Sequence, residues 1–236
     1  MLKVYNWLDI IQNRLLPATC ILCGNPGFGG LDLCLSCHDH LPRNSQHCLC
    51  CAEIFEPLIT EPMLCGRCVS KQPAFDKAYA PFMYQEEIRY LIAGLKFGKH
   101  FKNARLLGSL LAEHLQETQD KPDCIMPVPL HHARYRERGF NQALEIARTV
   151  SKILVIPVDA SSCLHDKDTP HQTGLSAKKR RQNLRQAFSI NRPLRGVRHV
   201  AILDDVMTTG STANALAEAL KKAGVSRVDV WVCARA

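Results

Sequence analysis

Residues 200–212 read VAILDDVMTTGST. Val200, Ala201, Ile202 and Leu203 predict a short buried strand, and the alanine-rich run from Ser211 to Ala223, closed by Gly224, predicts the helix that follows. Thr208, Thr209, Gly210, Ser211 and Thr212 therefore fall where a strand hands over to a helix. The first amides of a helix lack helical partners and its dipole favours an anion there, so these five residues are expected to wrap a phosphate. Asp204 and Asp205 leave the strand at its carboxyl end, placed to accept hydrogen bonds from vicinal hydroxyls or to hold a metal ion that does. Sugar plus phosphate is the chemistry this spacing implies. One alternative is an ordinary βαβ connection with an acidic edge. Another is the acidic strand of a nucleotide hydrolase, but no Gly-x4-Gly-Lys-Ser/Thr loop occurs in the chain. The nearest candidate, Gly94 to His100, has the wrong spacing and a histidine where a hydroxyl must bind magnesium.

A second constellation lies between Pro127 and Gln142, where Arg134, Arg136 and Arg138 precede a helix start at Asn141. Guanidinium forks suit pyrophosphate oxygens, and the Asn141 region is expected to offer free amides; a solvated basic loop is the plain alternative. A third is metal-binding. Nine of the 12 cysteines lie between Cys20 and Cys68, in four Cys-x-x-Cys turns: Cys20/Cys23, Cys34/Cys37, Cys48/Cys51 and Cys65/Cys68. Each turn points two thiolates at one ion, so two structural Zn2+ sites of four cysteines are expected. Sequential pairing is the simpler assignment and interleaved pairing the alternative. Cys50 is left over, His38, His40 and His47 are possible substitute ligands, and Cys124, Cys163 and Cys233 read as core residues.

The elements that must position these groups follow from periodicity. Residues 1–72 form the cysteine-rich region, opening with a short amphipathic helix that carries Trp7, Leu8, Ile10, Ile11, Leu15 and Leu16. After Gln72 and Pro73, strand Ala78 to Tyr84, helix Glu86 to Phe97 and a helix near Asn103 to Leu115 are expected. Strand Cys124 to Val128, helix Asn141 to Ile153 and strand Leu154 to Val158 follow, then the strand, helix and strand around Asp204. That alternation over 73–236 predicts an α/β domain with a parallel sheet and helices on both faces, binding its ligand beyond the carboxyl ends of the strands. The chain has 236 residues and a net charge of +8, which favours polyanionic ligands without choosing among them. No apolar run of about 20 residues is present, so no membrane insertion is expected. Reduced thiols and the lack of a signal-peptide pattern point to the cytoplasm.

The segment 200–212 resembles the phosphoribosyl pyrophosphate (PRPP) motif of type I phosphoribosyltransferases, in which the paired acids take the ribose hydroxyls and the loop takes the 5'-phosphate. The resemblance then widens. Val128-Pro129-Leu130, Arg138-Gly139-Phe140-Asn141-Gln142, Thr169-Pro170-x-Gln172-Thr-Gly174-Leu175, Arg180-x-x-Asn183 and Ala187-Phe188 are similar to the ComF family of phosphoribosyltransferase-like competence proteins, which includes GntX. Lys96-Phe97 resembles that family's Leu-Lys-Tyr/Phe segment, and cysteine ribbons precede the domain there too. The likeness covers essentially the whole chain. It implies a type I phosphoribosyltransferase-like fold behind a double zinc ribbon, PRPP bound with Mg2+, and Arg134, Arg136 and Arg138 in the pyrophosphate loop. It also implies a lid over about 169–187 with Gln172, Lys178, Lys179, Arg180 and Arg181, and a role in DNA uptake or use of DNA as nutrient. Single-stranded DNA and proteins of the uptake machinery are the implied partners. The non-catalytic alternative is a single-stranded-DNA module that uses the fold as a platform, with Tyr135 and Phe140 as its candidate stacking residues. In purine-salvage relatives an aspartate stands four residues after the first acid. Thr208 occupies that place here and cannot handle a proton at neutral pH, which disfavours that subclass.

Overall fold

The computed structural model describes residues 17–56, 61–116, 118, 121–166 and 187–236. The expected amphipathic helix of the first 16 residues lies outside them. Contacts divide the chain into two compact units, Met1–Leu41 and Pro42–Ala236. The second set of cysteines thus folds with the sheet, although by composition it belongs with the first.

In the first unit, helix α1 (Leu35–Asp39) starts at Cys34, whose sulfur accepts the Cys37 amide at 3.4 Å. The second unit opens with a ribbon closed by α2 (Gly66–Ser70). Next come β1 (Lys77–Tyr79), β2 (Phe82–Met83), α3 (Glu86–Gly98), α4 (Phe101–Leu115) and β3 (Cys124–Pro127). The remaining elements are α5 (His132–Arg138), α6 (Gln142–Leu154), β4 (Cys163–His165), β5 (Phe188–Ile190), β6 (His199–Met207), α7 (Ser211–Lys222) and β7 (Arg227–Arg235). The main sheet is parallel in the order β1-β7-β6-β3, with β2 continuing beside β7. β4 and β5 make a separate antiparallel pair.

Alternation along β6 explains the layers. Val200 and Ile202 share an apolar cluster with Leu216 and Leu220 of α7, while the intervening residues face the side covered by α4 and α6. Leu107, Leu111, Ile146 and Val150 are fully buried on those helices, each contributing about 2 kcal/mol of apolar burial.

Two expected strands are corrected. Residues 78–84 form one edge strand broken at Pro81, which lacks an amide for the ladder; its carbonyl instead accepts the Asn44 amide at 2.9 Å. Residues 154–158 are not a strand. Leu154 closes α6, Val155 turns left-handed at φ 58°, and only Val158 bridges to Ile125. The β-branched run resembled a strand, but it serves as a helix exit.

Candidate functional site

β6 delivers Asp204 and Asp205 to the carboxyl end of the sheet, and each folds one carboxylate oxygen onto the next amide: Asp205 N to Asp204 Oδ1 at 2.9 Å, Val206 N to Asp205 Oδ1 at 2.8 Å. Asp205 is buried, and its Oδ2 meets Lys96 Nζ of α3 at 2.7 Å. Desolvation and the charge of Asp205 push the Asp204 carboxyl up to about 7, against the pull of an amide and of Lys96. Among the described residues the two adjacent acids share one ammonium, so charge at the strand end stays uncompensated once Asp204 ionises. Such a pair has the chemistry to accept a cation or a pair of sugar hydroxyls. Spacing alone did not assign Lys96 this role, because the register of α3 against β6 is a tertiary fact.

Gly210, at φ 75°, forms the N-cap of α7, and no side chain caps the helix. A Cβ at Gly210 would stand 3.4 Å from Met207 Sδ in a conformation that side chains rarely adopt. Thr209 Oγ1 and Ser211 Oγ are 2.8 Å apart, and the Ser211 amide reaches Thr209 Oγ1 at 3.3 Å. Thr208 and Thr209 are exposed, and Ser211 and Thr212 half-buried. Amides without a side-chain cap and clustered hydroxyls thus gather at this turn, a chemistry suited to an anion the size of a phosphate.

The arginine segment is helical. On α5, Arg134 and Arg138 stand one turn apart on the same side, and Arg136 falls between them on the other side. At the Asn141 helix start one amide is taken: Asn141 Oδ1 caps α6 through Leu144 N at 3.4 Å, and its Nδ2 donates to the Val128 carbonyl at 3.0 Å. Phe140 is buried edge-on against Phe101, with ring centroids 4.9 Å apart, and is removed from the candidate stacking residues. Tyr135 stays half-exposed, and the sequence reading missed Tyr90, Phe97 and Phe101, all exposed. Nothing local distinguishes these from core aromatics. Beyond α6, His165 of β4 faces the Pro129 carbonyl at 3.2 Å and stacks on Phe188. Burial holds its pKa down, and His131 and Arg134 add to the push. Gln172, Lys178, Lys179, Arg180 and Arg181 lie outside the described residues; the flanking Asp166 and Ala187 are joined by a 2.9 Å backbone hydrogen bond.

The cysteines assemble in sequential sets, Cys20/Cys23/Cys34/Cys37 and Cys48/Cys51/Cys65/Cys68, with the sulfurs of each set within 4.8 Å of one another. Tetrahedral Zn–S bonds of about 2.3 Å place sulfurs about 3.8 Å apart. Cys23 and Cys34 are 3.6 Å apart, as are Cys51 and Cys65. In each set one thiol is drawn down, Cys20 to about 6 and Cys48 to about 7, because backbone amides directed at the sulfur outweigh burial. Their neighbours Cys37, Cys51 and Cys68 are pushed up by burial and by the other sulfurs. Four crowded thiols need a divalent cation to ionise together, and both sets fit structural zinc. The histidines do not enter: His40 Nδ1 faces the Ser36 carbonyl, His47 Nδ1 that of Asn44, and His38 Nδ1 the Asp39 carboxylate. Cys124, Cys163 and Cys233 are buried in the core, as expected.

Residues 11–69 match the double zinc ribbon domain family. Competence protein F of Haemophilus influenzae is 36% identical over 225 residues, covering 92% of this chain and 96% of that protein. DNA utilization protein YhgH of Escherichia coli K12 is 33% identical over 226 residues, covering 93% and 98%. Among solved structures, a purine phosphoribosyltransferase from Pyrococcus horikoshii aligns over 56% of this chain and 73% of that one, at 27% identity and a TM-score of 0.35.

Proposed function

Because the chain belongs to the family of competence protein F and the DNA utilization proteins, we propose that it is a ComF-like, PRPP-binding protein of the phosphoribosyltransferase fold that serves DNA uptake or the use of DNA as nutrient. The observation that carries the reading is the acidic pair at the end of β6, with Lys96 on Asp205, beside the uncapped N-terminus of α7. In this reading the amides and hydroxyls of 208–212 hold the 5'-phosphate. Asp204 and Asp205 fix the ribose hydroxyls, and Arg134 and Arg138 reach the pyrophosphate from one side of α5. Asp204 would help to hold Mg2+, which would supply charge neutralisation for the pyrophosphate. Displacement of pyrophosphate at C1 is then a matter of orientation and charge stabilisation rather than of one acid or base. Among the described residues no helix is long and apolar enough to cross a membrane. A cytoplasmic place, beside the uptake machinery, is part of the proposal.

Calorimetry of the full chain with PRPP and Mg2+ tests the site. Asp204→Asn with Asp205→Asn should lower affinity by roughly a hundredfold or more while the fold persists; equal affinity rejects the assignment. Pyrophosphate release with a panel of bases, amines and nucleic acids then reads catalysis.

A second reading, binding of single-stranded DNA, is favoured by one surface. Phe97, Phe101 and Tyr135 are exposed. Phe101 meets Phe140, and Lys99 Nζ lies 4.0 Å from the position of a Cβ on Gly139, so the α3–α4 corner, which carries Phe97, Lys99 and Phe101, adjoins the end of α5, which carries Tyr135. Phe97→Ala with Tyr135→Ala should weaken single-strand binding by roughly tenfold without altering its salt slope. An unchanged titration removes this surface from the reading.

A further inference from the structure

We propose that Arg235 is a positioning residue through which the metal of the second cysteine cluster holds the anion loop in its binding form. The proposal rests on the reading of residues 208–212 as the phosphate loop. Arg235 ends β7 and is 1% exposed. On one side its Nε donates to the Cys51 carbonyl at 3.3 Å and its Nη2 to the Glu53 carboxylate. On the other, Nη1 donates to the Met207 carbonyl at 2.9 Å and to the carbonyls of Thr208 and Ala236. A guanidinium is planar and its donors form a fixed fork, so the two sides cannot shift independently.

Cys51 is a ligand of the cluster, and Glu53 follows two residues later. Between them Ala52 is left-handed at φ 53°, its amide bound to the Cys48 carbonyl at 3.0 Å and its own carbonyl to Asn44 Nδ2 at 3.0 Å. A metal on Cys48 and Cys51 fixes this turn, and so fixes the groups that grip Arg235. The consequence at the loop follows from peptide planarity. Holding the Met207 and Thr208 carbonyls sets the opposite direction of the Thr208 and Thr209 amides, which share those two peptide planes. Two donors of the phosphate site are thus aimed by a residue that contacts no ligand. A cleft of ≈ 570 Å³ lies between Cys51 and Cys68 on one wall and Thr209, Gly210 and Ser211 on the other, and Arg235 lines it.

Backbone NMR relaxation of the full, zinc-loaded chain reads the loop without any ligand. In Cys65→Ser and in Arg235→Met the order parameters of amides 208–211 should fall from the rigid range, about 0.85, to below about 0.6, with β3 and α6 unchanged. PRPP affinity should fall roughly tenfold in both. Arg235→Met should keep both zinc ions, and Cys37→Ser should leave the loop rigid. A rigid loop in folded Arg235→Met overturns the proposal, as does equal loosening by Cys37→Ser. If Arg235→Met or Cys65→Ser does not fold, Glu53→Gln, which removes the charge shared by Arg235 Nη2 and Arg67 Nη2, decides by the same readout against Arg67→Met, which spares Arg235. Failure of every form to bind PRPP would reject the reading of the site, and the relaxation data would still decide the coupling.

Discussion

Cys20, Cys23, Cys34 and Cys37 sit in a unit whose described residues bury only Leu33 and Leu41 besides Cys20 and Cys34. Cys48, Cys51, Cys65 and Cys68 are all buried, within an apolar cluster that includes Phe75, Met207 and Val232. The same spacing therefore serves two physical ends. In the first unit a metal would stand in for a core that the described residues do not build. In the second it joins a ribbon to a sheet that has its own core. The ribbon's attachments are specific: Ala78 N donates to the Cys50 carbonyl at 2.7 Å, Met83 N to that of Pro42 at 2.8 Å, and Asn44 N to that of Pro81.

The sharpest way to break this contrast is to remove one ligand from each cluster. Cys65→Ser should lower the main thermal transition by on the order of 10 °C, because a buried ribbon loses its metal and uncovers apolar surface beside Met207. Cys37→Ser should release one zinc ion and shift the same transition by no more than about 2 °C. Scanning calorimetry with elemental analysis checks both. Equal shifts would mean that the two clusters play the same part.

Solution pH separates the regions in opposite directions. A zinc-thiolate set loses its metal as pH falls, since protons compete for sulfur. Asp204 acts the other way. Its folded pKa of about 7 lies above the ordinary carboxylate value of about 4, so the folded state holds the extra proton between those values. Its contribution to stability is present below pH 4 and is lost as pH rises through 7. Asp204→Asn should therefore raise the main transition by a few degrees at pH 8 and leave it unchanged near pH 4. A shift of the same size at both values would show that Asp204 does not titrate as described. The affinity for Mg2+ with PRPP should likewise strengthen as pH rises through 7, when the carboxylate ionises.

The parts that sequence made legible are those in which one short segment contains its own explanation. The strand, acids, loop and helix of 200–222 follow from composition and order, and the four Cys-x-x-Cys turns follow from their spacing, although which turns share a cluster, open between sequential and interleaved pairing, is decided only by the fold. What stayed hidden joins distant segments. Lys96 on Asp205 depends on how α3 lies over β6, and Arg235 between Glu53 and Met207 depends on three elements meeting. Arg134, Arg136 and Arg138 show a third limit. Their alternation reads as an extended cluster, but seven helical residues divide them between two sides. The arrangement of the acids was local; the lysine that faces Asp205 and the arginine that holds the Met207 and Thr208 carbonyls were not.

The smallest expected effect bears on what counts as a member of the second cluster. Cys50 lies between two ligands and is 8% exposed, yet it falls outside the four-sulfur set. Its sulfur is 3.9 Å from the Asp76 carbonyl, a weak contact, and burial pushes its thiol up, away from the thiolate that zinc needs. It thus fills space as a small apolar residue beside the cluster. Cys50→Ala should keep two zinc ions per chain and cost about 1 kcal/mol, a shift of roughly 2–4 °C in the main transition. Retained metal with that modest shift would confine the joint to Cys48, Cys51, Cys65 and Cys68. Loss of one zinc ion would instead make Cys50 a ligand, and the rigid turn that holds Arg235 would have to be redrawn around it.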